Sequence, residues 1–381
     1  MLHILYHIFL ISKSDLSLAP IKMICTMPSM KNPAHNIYIH VPFCMSKCNY
    51  CAFFSRACAN PDWGTYAQKI CDEIDTWYQK LGKITVPTIF FGGGTPSLMP
   101  ANIFETIISK IYTLFDVAPD AEITVEANPK TISAEKLRDF VQIGANRLSI
   151  GVQSLDDETL TFLGRQHSAR DAIELINAAQ KMNIRTSADF IYGTPMDTVY
   201  SVVQLCTQIN ELGIRHCSMY ELTIEPTTPF GKKNLQMPDN GAMAEMYDAI
   251  GKTLNLPRYE VSNYATHGNE CKHNLNIWDG APYIGLGQGA AGRVYMDNQW
   301  YEQMGNNERF EKISNNVRAI ENVIMGMRTM RGCQLTDDVK NVIDIDWVQN
   351  NHELVKIIDD RIAPTDKGLM ILDNILTNVV K

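Results

Sequence analysis

A chain of 381 residues that is 45% hydrophobic and 20% charged has the composition of an ordinary folded protein. It is long enough for one large domain and one small one. A net charge of −8 without a long Lys/Arg run argues against a nucleic-acid partner, because phosphate binding needs a clustered basic face. Ten cysteines over this length are too sparse for a secreted disulfide scaffold.

Residues 1–35 read as an irregular N-terminal segment. The apolar run Met1–Ile11 is too short to span a bilayer and lacks the basic flank of a secretory signal. Met23, Met27 and Met30 follow closely, so a mis-assigned start is the preferred reading, with a weak membrane or organelle address as the alternative. Nothing later reads as transmembrane, and the expected location is the cytoplasm.

From residue 36 a strand–helix rhythm sets in. Six β-like runs rich in Ile, Val, Phe and Tyr are expected at Asn36–Val41, Val86–Phe91, Glu122–Ala127, Arg147–Val152, Arg185–Tyr192 and Ile214–Leu222. Between them lie amphipathic runs at Trp63–Leu81, Ala101–Phe115, Ile132–Ile143, Ala169–Met182 and Val199–Leu212. This alternation predicts an α/β fold with parallel strands and right-handed crossovers. The strand count alone leaves open an incomplete barrel or an open doubly wound sheet.

The strand ends carry the chemistry. The first run ends in Cys44, Cys48 and Cys51, a C-x3-C-x2-C loop. Three thiolates in one loop can hold an iron–sulfur cluster and leave one iron without a protein ligand. Zinc is the alternative, but zinc sites favour paired C-x2-C units and no second pair exists here. Cys71, Cys206 and Cys217 read as small core residues. The second run ends at Gly92-Gly93-Gly94-Thr95, the third at Glu126-Ala-Asn128-Pro129 and the fourth at Gln153. The fifth carries Asp189, and the sixth Tyr220 and Glu221. Taken singly each has a plain structural explanation, such as a tight turn or a Glu126–Arg147 bridge. Parallel α/β folds gather function at this edge, so together they predict one small-molecule site.

These motifs resemble the radical S-adenosylmethionine (SAM) superfamily. YIHVPFC with its cysteines, GGGTPS, EANP, IGVQS with Gly164-Arg165-Gln166-His167, and DFIYGTP are similar to the subgroup of oxygen-independent coproporphyrinogen III oxidase. Within it, Phe53 stands where the oxidase has a fourth cysteine, and only a short segment precedes Tyr38. Cys271-Lys-His273-Asn274-Leu-Asn-Ile277-Trp278 resembles instead the H-N-x-x-Y-W signature of the HemW heme chaperones, with Ile277 in place of the usual Tyr.

The resemblance implies an incomplete (β/α)6 barrel at 36–225, an extension at 226–300 carrying the His-Asn motif, and a small winged-helix-like domain at 301–381. It implies that Cys44, Cys48 and Cys51 ligate a [4Fe-4S] cluster, whose fourth iron SAM chelates. Tyr38, Gly93, Gly94, Thr95, Glu126, Gln153, Arg165 and Asp189 would hold SAM, with Arg165 suited to its carboxylate and Asp189 to its ribose. Phe53 would shield the cluster edge. His273, Asn274 and Trp278 would contact heme, with His273 as the candidate axial ligand and Cys271 as another. The implied partners are heme and acceptor hemoproteins of the respiratory chain at the membrane surface; a homodimer is left open. The rival implication is porphyrin biosynthesis by radical decarboxylation of coproporphyrinogen III. The resemblance does not decide whether the protein is an enzyme.

Overall fold

The computed structural model describes residues 32–305 and 309–381; the irregular segment expected at 1–35 lies almost wholly outside the described residues. Six parallel strands form the framework: β1 (Asn36–Val41), β2 (Thr85–Gly93), β3 (Asp116–Ala127), β4 (Arg147–Gln153), β5 (Arg185–Tyr192) and β6 (His216–Glu221). They lie side by side in chain order. Helices α1 (Trp63–Leu81), α2 (Ala101–Leu114), α3 (Ala134–Ile143), α4 (Asp157–Leu163), α5 (Ala169–Lys181) and α6 (Val199–Glu211) return the chain between them.

Strand side chains alternate between two faces. Ile37, Ile39, Phe91, Val125, Ile150 and Phe190 face the helices and pack with Ile74, Phe104, Ile107, Phe140 and Ile176 in one core. The opposite set is polar: Asn36, Thr88, Glu122, Arg147, Ser149, Asp189, His216 and Ser218. The apolar core is thus the outer layer, and the enclosed face is a hydrogen-bonded polar interior. Helix starts follow local chemistry. Ser168 and Thr198 each close a capping box at the start of α5 and α6.

The sheet is larger than six strands. β7 (Asn263–Ala265) joins β6 antiparallel. On the other side, β8 (Tyr283–Leu286) pairs parallel with β1. An antiparallel run follows through β9 (Ala291–Met296), β10 (Gln299–Met304) and β11 (Arg309–Ile313). These eleven strands form an open sheet ending in β7 and β11, an incomplete barrel. β8 escapes prediction because its four residues include a glycine within a glycine-rich stretch. α7 (Asn240–Thr253) and α4 were likewise not expected.

β10 crosses the expected boundary between residues 300 and 301. A second core follows it, built on α9 (Asn315–Gly326) with Ala319, Val323, Val339, Ile362 and Ile375. Its small antiparallel sheet joins Cys333–Gln334, Arg361–Pro364 and Val355–Ile358. In it Arg361–Pro364 leads to Thr365, whose hydroxyl accepts from Gly368 N at the start of the helix Asp366–Leu369. An ion network ties this part to the barrel: Glu321 of α9 bonds Arg293 of β9 and Arg318, both at 2.9 Å.

Candidate cofactor site at the strand edge

Cys44 sits in a two-residue strand, Phe43–Cys44, paired with Arg56–Ala57, so the cysteine loop closes on itself. Three anchors hold it. Gly94 and Thr95 donate their amides to Val41 O (2.7 Å) and Phe43 O (2.8 Å). His40 Nε2–H donates to Phe54 O (2.7 Å), while its Nδ1 accepts from the Tyr38 hydroxyl (3.0 Å). Burial lowers the His40 pKa, which keeps the ring neutral for that role. Asn49, between the second and third cysteines, donates Nδ2–H to Phe162 O (2.8 Å) and its amide to Leu163 O (3.1 Å). It thereby satisfies carbonyls at the end of α4.

The triple glycine is explained by this packing. A Cβ at Gly93 would lie 2.5 Å from the His40 ring, and one at Gly94 2.6 Å from Phe43 O. Gly93 also has φ of +107°, which other residues rarely adopt. The Gly93 amide donates to Glu126 Oε2 (3.1 Å). The amides of Gly93, Gly94 and Thr95 are thus all engaged within the protein.

The remaining predicted residues form the wall beside the loop. Arg165 follows Gly164, which caps α4 in the left-handed conformation. Its guanidinium donates to Cys48 Sγ (3.3 Å), Asn128 Oδ1 (2.5 Å) and Gly151 O (2.8 Å), and its buried Nε has no partner. Gln153 has φ of +69° and sits at a register shift between β4 and β5, a bulge that turns its side chain back beside Gly151. Burial, with Asp189 second, raises the Glu126 pKa to about 8. The alternative Glu126–Arg147 bridge does not form. Glu122 plays that part, at 3.1 Å from Arg185, with Arg147 charge acting on it. Asp189 accepts from three hydroxyls: Ser149 (2.8 Å), Ser187 (3.1 Å) and Ser218 (2.6 Å). Sequence reasoning missed His40, Asn49 and Asn128 as site residues. Asn128 was visible as the polar end of the third strand.

The His-Asn motif lies at the other end of the barrel. It forms the short helix α8 (Lys272–Trp278), which plugs the interior where the strands begin. Glu122 accepts the amides of Lys272 (3.1 Å) and His273 (3.0 Å) at the α8 N-terminus. Asn276 donates to Asn36 Oδ1 (2.9 Å). His273 is 1% exposed and packs its ring, tilted by 31°, against Phe90. Thr88 donates its proton to Asn36 Oδ1 (2.8 Å), so its oxygen accepts from His273 Nδ1–H (2.6 Å). That fixes the tautomer and leaves Nε2 with a lone pair and no partner. Burial lowers the ring pKa to about 4. Asn274 and Trp278 line a 20 Å³ cavity with Tyr220, Glu260 and Arg328. Ile277 packs with Trp278, Tyr283 and Met325, an apolar cluster in which a phenol hydroxyl would need a partner. The structure therefore does not bring the three heme residues together with the cysteine loop.

Among the described residues, no three His, Cys, Asp or Glu side chains converge to bind a single metal ion. Nor is any helix there long and apolar enough to cross a membrane.

The fold and the loop define a class, and the sequence profile of the Radical SAM superfamily matches residues 38–209. The architecture is similar to coproporphyrinogen III oxidase (HemN) from Escherichia coli, a radical SAM enzyme. The TM-score is 0.75 over 91% of this chain and 90% of that one, at 19% identity, a likeness of fold. In sequence, the heme chaperone HemW of Escherichia coli K12 is 37% identical over 270 residues, 70% of this chain and 71% of that one. HemW of Synechocystis is 34% identical over 323 residues, 77% and 78% of the two chains. A bovine mitochondrial radical S-adenosyl methionine domain-containing protein is 36% identical over 265 residues, covering 68% of this chain and 60% of its own. This chain belongs to the HemW family of radical SAM proteins.

Superfamily membership implies a [4Fe-4S] cluster and SAM, and the residues present fit both. The donor set is three thiols that do not converge on a point. A four-iron cluster suits that spread, because each thiolate takes a different iron. The unpartnered Arg165 Nε, beside a thiol and a strand edge, suits a carboxylate.

Proposed function

We propose that this protein is a heme chaperone that carries a [4Fe-4S] cluster and SAM, binds heme, and passes it to hemoproteins of the respiratory chain. The observation that carries the proposal is the arrangement of Cys44, Cys48 and Cys51 against Arg165, Glu126 and Asp189 at one barrel edge, in a chain of the HemW family. In this reading residues 36–225 hold the cluster and SAM, 226–300 carry the heme motif, and 301–381 form a lid or delivery surface.

The cysteines would hold the cluster, which supplies an open iron and a redox centre when bound. The chain's own groups do the rest. Arg165 binds a carboxylate through donors already fixed by Asn128 and Gly151 O. Asp189 accepts ligand hydroxyls, and Gln153 reaches the same space from its bulge. Phe53, 42% exposed on the loop, covers its outer side.

Heme engagement through His273 has a geometric condition. The cavity beside Asn274 and Trp278 holds a water or two, not a porphyrin. His273 Nε2 becomes a ligand only when α8 swings away from Glu122. Heme titration of the cluster-reconstituted protein should give a Soret band that His273→Ala weakens or shifts. An unchanged spectrum in that variant removes His273 as ligand. Protoporphyrinogen formation from coproporphyrinogen III at catalytic turnover would replace the chaperone reading with the oxidase one.

A further inference from the structure

The polar interior contains a chain of hydrogen bonds with one defined direction. Its far end is Asp189, whose carboxylate oxygens accept. Ser187 Oγ–H therefore donates to Asp189 Oδ1 at 3.1 Å. With its proton so placed, Ser187 Oγ accepts from His216 Nδ1–H at 2.7 Å. A neutral imidazole protonated at Nδ1 has an acceptor at Nε2, so the Tyr259 hydroxyl donates to it at 2.8 Å. The Tyr259 oxygen in turn accepts the Cys271 amide at 3.3 Å, the residue that precedes α8. His216 is 3% exposed, and burial together with the Arg147 charge holds it neutral. Every proton in the chain points from α8 toward Asp189.

We propose that Tyr259 and His216 are positioning residues for Asp189: they fix the Ser187 proton on Oδ1 and so set where this carboxylate receives the hydroxyls of a ligand diol. The inference rests on the reading of Asp189 as the ribose-binding carboxylate. Its physical content is a competition. Ser218 has one proton and two acceptors at 2.6 Å, Asp189 Oδ1 and Asn263 Oδ1, so it alone cannot anchor Oδ1. Ser187 can, provided His216 keeps its Nδ1–H. Oδ1 is then engaged, and an incoming hydroxyl is directed to Oδ2, where Ser149 occupies one position. Without the Tyr259 hydroxyl, His216 Nε2 loses the donor that favours the Nδ1–H tautomer, and the preference for it weakens. In the other tautomer Nδ1 takes the Ser187 proton, and Asp189 loses its fixed donor.

The test is SAM binding by calorimetry to the cluster-reconstituted full chain, with nitrogen NMR of the histidine rings. The wild-type His216 ring should be neutral and protonated at Nδ1. Tyr259→Phe and His216→Leu should weaken SAM binding by about tenfold, the worth of one net hydrogen bond. His216→Asn, whose amide can donate to Ser187 from the Nδ1 position, should recover most of the loss, which a packing role would not predict. An Nε2–H ring in the wild type overturns the direction of the chain. That spectrum needs no variant, so poor folding of His216→Leu does not shelter the proposal. Unchanged affinity in Tyr259→Phe and His216→Leu, with loss in Asp189→Asn, overturns the positioning role and leaves the ribose reading standing. Unchanged affinity in Asp189→Asn overturns both.

Discussion

Glu126 is the residue whose chemistry is most sensitive to conditions. Burial and Asp189 lift its pKa from 4.5 to about 8, so the folded protein holds a proton that the unfolded chain releases. Its contribution to stability therefore falls as pH rises from 4.5 to about 8. SAM is a sulfonium cation and favours the carboxylate form. Its affinity should strengthen as pH rises toward about 8, with proton uptake by buffer on binding, and Glu126→Gln should flatten the profile. Calorimetry in buffers of different ionisation enthalpy reads both effects. Serine at Cys44, Cys48 or Cys51 should abolish the visible iron–sulfur absorption after reconstitution while leaving the fold intact, because each thiol lies at the rim of the barrel. The cysteines were legible in the sequence because all three lie on one loop. His40 and Asn49 were not, since their partners, Phe54 O and Phe162 O, stand 14 and 113 positions away.

At the scale of elements, α8 is held by a charge rather than by its own length. Seven residues make a marginal helix, and Glu122, fully buried on β3, accepts two of the amides at its start. Glu122→Gln would break the ion pair with Arg185 and remove the charge from the helix end. It should destabilise the protein by about 3 kcal/mol, as buried pairs do when one partner is removed, read by urea denaturation. If His273 ligates heme by release of α8, the same variant should take up heme faster than the wild type. Slower or unchanged uptake would leave α8 as a fixed plug. Periodicity predicted the six framework strands and the five long crossover helices to within two residues at each end, except that β3 begins at Asp116, six residues before the expected Glu122. It missed the 14-residue α7, and also α4, α8 and β8, which are four to seven residues long and owe their form to caps and neighbours from elsewhere in the chain.

At the scale of the molecule, the two cores meet through an ion network and a small apolar cluster of Ile277, Trp278, Tyr283 and Met325. Arg293 and Arg318 are 8% and 6% exposed, and both rely on Glu321. Glu321→Gln should lower stability by about 3 kcal/mol, and the loss should appear first as unfolding of the C-terminal core, followed by hydrogen exchange in α9. The sequence by itself determined the parallel α/β framework, the cysteine loop and the edge where ligand groups gather, because each depends on periodicity or on residues adjacent in the chain. Only the tertiary structure decided that the barrel interior is polar, that the His-Asn motif plugs its far end, and that Tyr259, His216 and Ser187 form a hydrogen-bonded chain ending at Asp189. Those facts depend on the register and curvature that bring six strands around one interior, and no local pattern encodes which distant hydrogen-bonding groups will then meet.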